Sequence, residues 1–164
     1  MSKDFYTQFI LPYVGIIIKI CRAYTDNEED FQDYYQEVCL QLWKSRDNFK
    51  GESKWSTWVY RISLNVSLSL LRKDKKVSKK SVELPTIEDE QEAASDPFQD
   101  ESLKLLYQAI KKLSEVDRAI ILLYLEEKSY QEIAEIMGLS PTNIGVKINR
   151  IKKKLKTLLY GKVY

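Results

Sequence analysis

The chain has no histidine and only two cysteines, Cys21 and Cys39, in 164 residues. The lack of histidine removes the usual general base and the commonest metal ligand, which excludes most triad and zinc chemistries. Two isolated cysteines in an intracellular protein are normally reduced and buried. We therefore expect no catalytic residues, no metal and no cofactor.

Glycine and proline are also scarce, with 5 and 4 residues, and long apolar runs are missing. The longest apolar run, residues 13–18, ends at Lys19 and is far too short to span a bilayer. No secretory h-region and cleavage site follow the first residues, so a cytoplasmic protein is expected. An apolar content of 44% with few helix breakers predicts an all-α globular protein.

Composition divides the chain into two small helical domains, residues 1–76 and 101–164. The segment between them, residues 77–100, contains two prolines, an excess of acids and no apolar period. Such a composition is typical of a flexible acidic linker. Domains of about 60–75 residues are near the lower limit for a self-sufficient core, so we expect the protein to depend on partners.

The N-terminal domain shows helical periodicity in three stretches. Residues 4–25 are apolar-rich, and residues 28–45 place apolar side chains on one face. That face consists of Phe31, Tyr34, Tyr35, Val38 and Leu42. Residues 47–54 are predicted as a loop around Gly51, followed by a helix over 56–73. Its predicted inner stripe consists of Val59, Ile62, Val66 and Leu70.

The C-terminal domain contains clear start and stop signals for four helices. A first helix over 101–113 is followed by capping boxes at 114–117 and 129–132. Gly138 stands where a positive φ is needed, and Ser140-Pro141 supplies an N-cap and a first-turn proline for a helix ending near Leu159. Residues 129–156 therefore form a candidate helix-turn-helix, with a core of Ile133, Met137, Leu139, Ile144 and Ile148.

The second helix of this motif carries side chains suited to DNA. The N-terminal end of a recognition helix reaches base edges in the major groove, and basic residues farther along contact phosphates. No acid follows Glu135, whereas basic residues are frequent there. The candidate DNA-binding residues are Ser140, Pro141, Thr142, Asn143, Gly145, Val146, Lys147, Arg150, Lys153 and Lys154. The alternative is a four-helix packing unit with a solvated basic end.

Two N-terminal stretches resemble a known family. Residues 28–45, EEDFQDYYQEVCLQLWKS, are similar to the polymerase-binding helix of sigma region two. Residues 49–65, FKGESKWSTWVYRISLN, are similar to the stretch that follows it in that family, and the helix-turn-helix resembles sigma region four. With only a short linker between these regions, the chain resembles the bacterial extracytoplasmic-function (ECF) sigma factors.

The resemblance implies a docking surface for RNA polymerase on helix 28–45. Its members are Asp33, Gln36, Glu37, Leu40 and Trp43, which would face the coiled coil of the β′ subunit. The alternative is a solvated acidic helix face, and Trp43 could belong to the core instead. Cys39 lies beside the apolar stripe and is expected to pack.

The resemblance also implies that the N-terminal domain captures the opened −10 element. Aromatic faces and cations bind exposed single strands, and a flipped base needs a pocket. The candidate residues are Lys50, Lys54, Trp55, Arg61, Asn65, Arg72 and Lys73. The alternative is that the aromatic residues of the loop fill the core, which we expect for Trp58.

The chain departs from the family pattern at two places. Arg61-Ile62 replaces the tryptophan pair of primary sigma factors, so promoter opening should be weaker. Asn143–Lys147 replaces the Thr-Val-Lys-Ser-Arg run of many relatives, and Gly145 costs roughly 1 kcal/mol of helix propensity. A particular −35 sequence therefore cannot be carried over to this chain.

The resemblance implies an alternative sigma factor, in which the N-terminal domain recognises −10 DNA and the C-terminal domain −35 DNA. Its implied partners are core RNA polymerase, through the β′ coiled coil and the β flap, promoter DNA, and an anti-sigma factor that would hold it near the inner membrane. It would be a monomer when free, or 1:1 with the anti-sigma factor. A free-standing regulator remains an alternative, as does an enzyme using Glu28, Glu29, Asp30 and Asp33.

Overall fold

A computed structural model describes residues 2–80 and 101–161, with the side chains of 77–80 excepted. All regular structure in these ranges is helical, which confirms the all-α prediction. The predicted linker, apart from its first residues, lies outside the described residues. The α-helices are α1 (Lys3–Phe5), α2 (Val14–Ala23), α3 (Glu28–Lys44), α4 (Trp55–Lys80), α5 (Glu101–Ile110), α6 (Glu115–Leu125), α7 (Tyr130–Met137) and α8 (Pro141–Tyr160).

The first helical stretch is continuous from Lys3 to Ala23 but changes its winding. A π-helical turn (Tyr6–Ile10) and a 3₁₀ turn (Leu11–Tyr13) separate α1 from α2, at the place where Pro12 removes a backbone donor. By length and apolar composition alone this stretch could span a membrane, although the apolar run within it is short. Its side chains at Ile10, Ile17 and Ile20 are fully buried in the protein core.

The apolar stripe predicted for residues 28–45 is confirmed in α3. Phe31, Tyr34, Val38 and Leu42 are buried, and the half-buried Tyr35 shares a 2.9 Å hydrogen bond with the hydroxyl of Tyr6. Both cysteines are free and buried, as predicted. Burial raises the pKa of Cys21 to about 12 and also raises that of Cys39, so neither thiol is reactive at neutral pH.

The inner face of α4 differs from the predicted stripe. Val59 is fully buried, but Ile62, Val66 and Leu70 are only partly buried. The most buried positions beyond Val59 are Tyr60 and Leu64 together with two serines, Ser63 and Ser67, both at 0% exposure. Helix α4 packs against α2 and α3, and these two serines were not part of the predicted inner stripe. The helix also continues to Lys80, past its predicted end and into the first residues assigned to the linker.

The helix caps predicted for the C-terminal domain are confirmed. Ser114, Ser129 and Ser140 each accept a hydrogen bond from the backbone N–H three residues later, at 3.1–3.2 Å. Gly138 adopts φ 71° and ends α7, and Pro141 is the first residue of α8. Ile133, Ile144 and Ile148 of the predicted helix-turn-helix core are fully buried, with Met137 and Leu139 packed partly buried against them.

Gly138 should be the more costly of two glycines to replace. Its left-handed φ disfavours any Cβ, so we expect Gly138→Ala to lower the free energy of unfolding by about 1 kcal/mol. Gly15 lies inside α2, where a Cβ would meet open space, so Gly15→Ala should stabilise by about 0.5–1 kcal/mol. Urea denaturation followed by circular dichroism measures both variants. Equal effects of the two substitutions would contradict this role of the turn.

Candidate nucleic-acid and polymerase interfaces

The helix-turn-helix presents the predicted DNA-binding residues on one side of α8. Thr142, Asn143 and Val146 are exposed at its N-terminal end, and Lys147 is half-buried. Arg150, Lys153 and Lys154 follow as an exposed basic series, while Ile144, Ile148, Ile151 and Leu155 form the opposite, buried face. Ser140 is engaged as the N-cap, so its hydroxyl holds the backbone at the helix start. The arrangement suits a helix that enters a groove with its N-terminal end.

Gly145 of α8 lies against Tyr130 of α7. A Cβ at this position would lie 3.4 Å from Cε2 of Tyr130, whose ring covers the glycine. Tyr130 itself is 40% exposed and stands beside the recognition helix. Tyr130 was not among the residues predicted from the sequence, although its place directly after the N-cap Ser129 was a usable signal. Gly145 therefore lies at the contact between the two helices of the motif, where a Cβ would touch the ring of Tyr130.

The predicted −10 loop lines a cavity between the N-terminal domain and α7 of the C-terminal domain. Its walls are Asn48, Phe49, Lys50, Glu52, Ser53, Trp58, Arg61 and Glu135. Lys50 is exposed, and the ring of Phe49 lies 5.8 Å from that of Trp58. Trp58 was expected in the core, and it packs against the core while it is half-buried and also lines the cavity. Its buried Nε1–H has no hydrogen-bond partner among the described residues.

Trp55 is engaged in an aromatic cluster. Its ring meets Phe5, Phe9 and Phe49 at centroid distances of 6.1, 5.5 and 5.1 Å. Its Nε1–H donates to the backbone oxygen of Phe9 at 2.8 Å, so this donor is already used within the protein. The neighbouring Lys54 is exposed. Of these two predicted DNA contacts, Lys54 has its polar atoms available to solvent, and Trp55 offers only part of its ring.

The polar side of α4 forms a second candidate surface next to the loop. Asn65, Arg72 and Lys73 line one groove together with Leu68, Ser69 and Lys76. Arg61 lies apart from this groove and borders the loop cavity. Arg72 and Arg61 both contact acidic residues of the C-terminal domain. The structure thus places the predicted −10 residues on two adjacent areas of the N-terminal domain.

Four of the five predicted polymerase-binding residues of α3 lie together. Asp33, Gln36, Glu37 and Leu40 line a groove with Asp30, Tyr34, Leu70 and Asp74. Leu40 is 39% exposed in this acidic surrounding. Trp43 does not line this groove. Its ring packs edge-on against Phe5, with 5.2 Å between the ring centroids, and the guanidinium carbon of Arg46 lies 3.6 Å from the centre of the Trp43 ring.

The described residues contain no cluster of three or more His, Cys, Asp or Glu side chains placed for a metal ion.

Two family models match the chain, one in each domain. The model of sigma-70 region 2 matches residues 9–77, and the model of sigma-70 region 4 matches residues 103–155. The first match contains the α3 groove and the N-terminal walls of the loop cavity, and the second contains the helix-turn-helix and Glu135. Together they cover both candidate surfaces.

Curated relatives are similar over almost the whole chain. The ECF RNA polymerase sigma factor SigW of Bacillus subtilis is 27% identical, with 96% of this chain and 90% of the relative covered. The sigma factor YlaC of the same organism is 28% identical, with 94% and 89% covered. The ECF sigma-E factor of Escherichia coli is 28% identical over 77% of this chain and 72% of its own.

Solved structures share the fold. The sigma factor RpoE of Bartonella quintana, in complex with the anti-sigma factor NepR, has a TM-score of 0.74 at 24% identity, with 96% of this chain and 98% of that chain covered. CnrH, in complex with the cytosolic domain of CnrY, has a TM-score of 0.70 at 20% identity, with 98% and 90% covered. With both sigma-70 regions present in order and full-length ECF relatives, the chain belongs to the extracytoplasmic-function group of sigma-70 family RNA polymerase sigma factors.

Proposed function

We propose that this protein is an alternative sigma factor that binds core RNA polymerase and directs promoter-specific initiation. The observation that carries the proposal is the order of two surfaces along one chain, a region 2 domain with a loop cavity and a region 4 domain with a helix-turn-helix. The N-terminal domain recognises and melts the −10 element, and the C-terminal domain reads the −35 duplex. The protein itself performs no catalysis.

The α3 groove is the surface we assign to the β′ coiled coil. An exposed leucine surrounded by Asp33, Gln36 and Glu37 combines an apolar contact with charges that orient a partner. Trp43 does not line this groove, and its ring packs against Phe5 instead. The C-terminal domain would contact the β flap.

The loop cavity is the site we assign to a flipped −10 base. Phe49 and Trp58 offer aromatic faces at the wall of this cavity. Lys50, Lys54 and Arg61 supply positive charge for the backbone, and Asn65, Arg72 and Lys73 extend this surface along α4. A pocket with these properties offsets the few kcal/mol that unstacking costs.

An anti-sigma factor is a further proposed partner. RpoE, a protein of the same fold, is described in a complex with the anti-sigma factor NepR, and CnrH in a complex with the cytosolic domain of CnrY. We propose that this chain is held in the cytosol in a 1:1 complex of the same kind, near the inner membrane if its anti-sigma factor is membrane-bound. Pull-down from the native host with this chain as bait, followed by mass spectrometry, tests for that partner.

Run-off transcription with purified core polymerase tests the central proposal. A library of upstream sequences is transcribed at fixed salt with and without the protein. We expect discrete start sites that depend on it and share two upstream elements. If no start site depends on the protein while it shifts a specific duplex alone, it is a free-standing regulator instead.

Removing two loop cations should weaken −10 capture selectively. We expect Lys50→Ala/Lys54→Ala, bound to core polymerase, to bind a −10 non-template oligonucleotide about tenfold more weakly, because two phosphate contacts are lost. Fluorescence anisotropy measures the affinity. The variant Lys3→Ala/Lys112→Ala removes the same charge at exposed sites elsewhere and should bind like wild type. Equal losses in both variants would refute a specific role for the loop.

A further inference from the structure

Two exposed lysines in the second half of α8, Lys152 and Lys154, lie on opposite flanks of the helix. Two residues correspond to a rotation of roughly 200° about the helix axis. On one side, the buried Ile151 and Leu155 lie between the two lysines, and on the other side the exposed Lys153 lies between them. The two lysines therefore border the solvent-facing side of α8. The proposed −35 residues include Lys154 but not Lys152.

Tyr124 of α6 fixes the position of the Lys152 side chain. The Nζ of Lys152 lies 4.4 Å from the centre of the Tyr124 ring, which is a cation–π distance. Hydrogen bonding with Tyr124 also raises the pKa of Lys152 above its usual value, which favours the charged form. Tyr124 is half-buried and packs against the core, so it is a rigid support. A lysine held in this way loses less side-chain entropy when it binds a further group.

No carboxylate of the described residues neutralises Lys152. It takes part in none of the ion pairs formed within them, and no acid follows Glu135 in the sequence. Lys128 is a useful contrast, because it lies 4.9 Å from the ring centre of Tyr60 but is also paired with Glu132 at 3.7 Å. Lys152 is thus oriented, exposed and without a counterion, so its charge is available to an anion.

The flank that carries Lys152 has a glycine nearer to the start of α8. Positions 145 and 152 are seven residues apart, or about two turns, so they share this flank. The ring of Tyr130 lies where a longer side chain at position 145 would extend, 3.4 Å from the place of the missing Cβ. Tyr130 is 40% exposed and belongs to α7. The surface of this flank is therefore an aromatic ring followed by one cation.

A helix inserted into the major groove meets phosphates on both sides. With its side chains an α-helix is about 10–12 Å wide, and the groove is about 12 Å wide. The two walls of the groove belong to opposite strands, so the two flanks of an inserted helix face different strands. If the N-terminal end of α8 enters the groove, Lys152 faces one strand and Lys154 faces the other.

We propose that Lys152, positioned by Tyr124, binds a phosphate of the −35 element on the strand opposite to the one that Lys154 contacts. This inference rests on the proposed function, because it concerns how the helix-turn-helix holds the −35 duplex. Phosphate contacts carry no sequence information, but they fix the register and orientation of a protein on the duplex. Contacts on both strands would hold α8 so that Asn143 meets one base pair only.

Uncharged phosphates test the strand assignment. In a promoter duplex identified by run-off transcription, each phosphate around the −35 element is replaced in turn by a methylphosphonate, and the affinity of the polymerase holoenzyme is measured. We expect the wild type to lose about fivefold at particular phosphates on both strands. Lys152→Ala should become insensitive on one strand only, and Lys154→Ala on the other strand only. The control Lys112→Ala removes the same charge at an exposed site of the same domain and should keep the wild-type pattern.

A double-mutant cycle tests the positioning role of Tyr124. Tyr124→Leu removes the ring but keeps the Lys152 ammonium, and circular dichroism establishes that the variant retains its helical content. We expect about threefold weaker binding to the unmodified duplex and no further loss when Tyr124→Leu is added to Lys152→Ala. If Tyr124 only stabilised the domain, its substitution would weaken binding equally in both backgrounds, and such additive losses overturn its positioning role.

The pattern of lost sensitivities separates this inference from the proposed function. If Lys152→Ala keeps every sensitivity of the wild type, or loses sensitivity on the same strand as Lys154→Ala, the inference is overturned while promoter-dependent initiation still supports the proposed function. If run-off transcription finds no promoter that depends on the protein, the proposed function fails and the inference fails with it.

Discussion

Reversing the charge of the α3 groove should abolish recruitment to polymerase. In Glu37→Lys/Leu40→Lys, an acid becomes basic and an exposed leucine becomes charged, while both replacements remain good helix formers. Because the centre of an interface carries most of its binding energy, we expect a loss of about 100-fold in affinity for core polymerase, or about 2.7 kcal/mol. Surface plasmon resonance with immobilised core polymerase measures it.

The control for this prediction carries added positive charge elsewhere in the N-terminal domain. Asp4→Lys/Gln8→Lys makes the same change in net charge at two exposed positions of the first helical stretch. We expect its affinity to stay within about twofold of wild type, because rim or remote charges mainly alter the association rate. Thermal unfolding of both variants should match that of the wild type. Wild-type affinity in the α3 variant would remove the groove as the polymerase site.

We expect two kinds of DNA-binding residue on α8: some that determine which −35 sequence is bound, and others that contact only phosphates. Asn143 is exposed at the N-terminal end of α8, where an amide can pair bidentately with adenine. We expect Asn143→Ala to reduce discrimination at one position of the −35 element by about 10- to 100-fold, which corresponds to about 1–3 kcal/mol. Binding to a set of single-base −35 variants measures this effect.

Lys154→Ala is the matched comparison on the same helix. Lys154 is exposed and belongs to the basic series of α8, about three turns after Asn143. We expect this variant to weaken binding to all −35 sequences by a similar factor and to reduce the slope of log K against log salt by about 1. If Asn143→Ala weakens all sequences equally, or Lys154→Ala changes the base preference, the assignment of roles along α8 is wrong.

Local features explain why the C-terminal domain was predictable. Serine caps, a glycine with positive φ and a first-turn proline act within a few residues of each other, so their consequences can be read without knowing the rest of the fold. The apolar stripe of α3 was predictable for the same reason, since its period is set by the helix itself. The roles proposed for the exposed residues stay predictions.

The inner face of α4 shows where periodicity alone was misleading. Ile62, Val66 and Leu70 repeat at the spacing of a core stripe, yet they are only partly buried, whereas Ser63 and Ser67 are fully buried. A long helix packed between others buries a broad face, and close approach selects small side chains rather than the most apolar ones. Which of two adjacent faces is buried depends on neighbours that a single helix does not specify.

By itself, the sequence determined the helical class, the helix-turn-helix with its caps, and the resemblance from which both DNA-binding surfaces are proposed. Only the tertiary structure decided that the Trp55 N–H is used by Phe9, that Tyr130 covers Gly145, and that Glu115 and Glu135 reach the cations of α4. These contacts join residues 15 to 74 positions apart in the chain. Local propensity carries no information on such pairs, because the packing of whole helices brings them together.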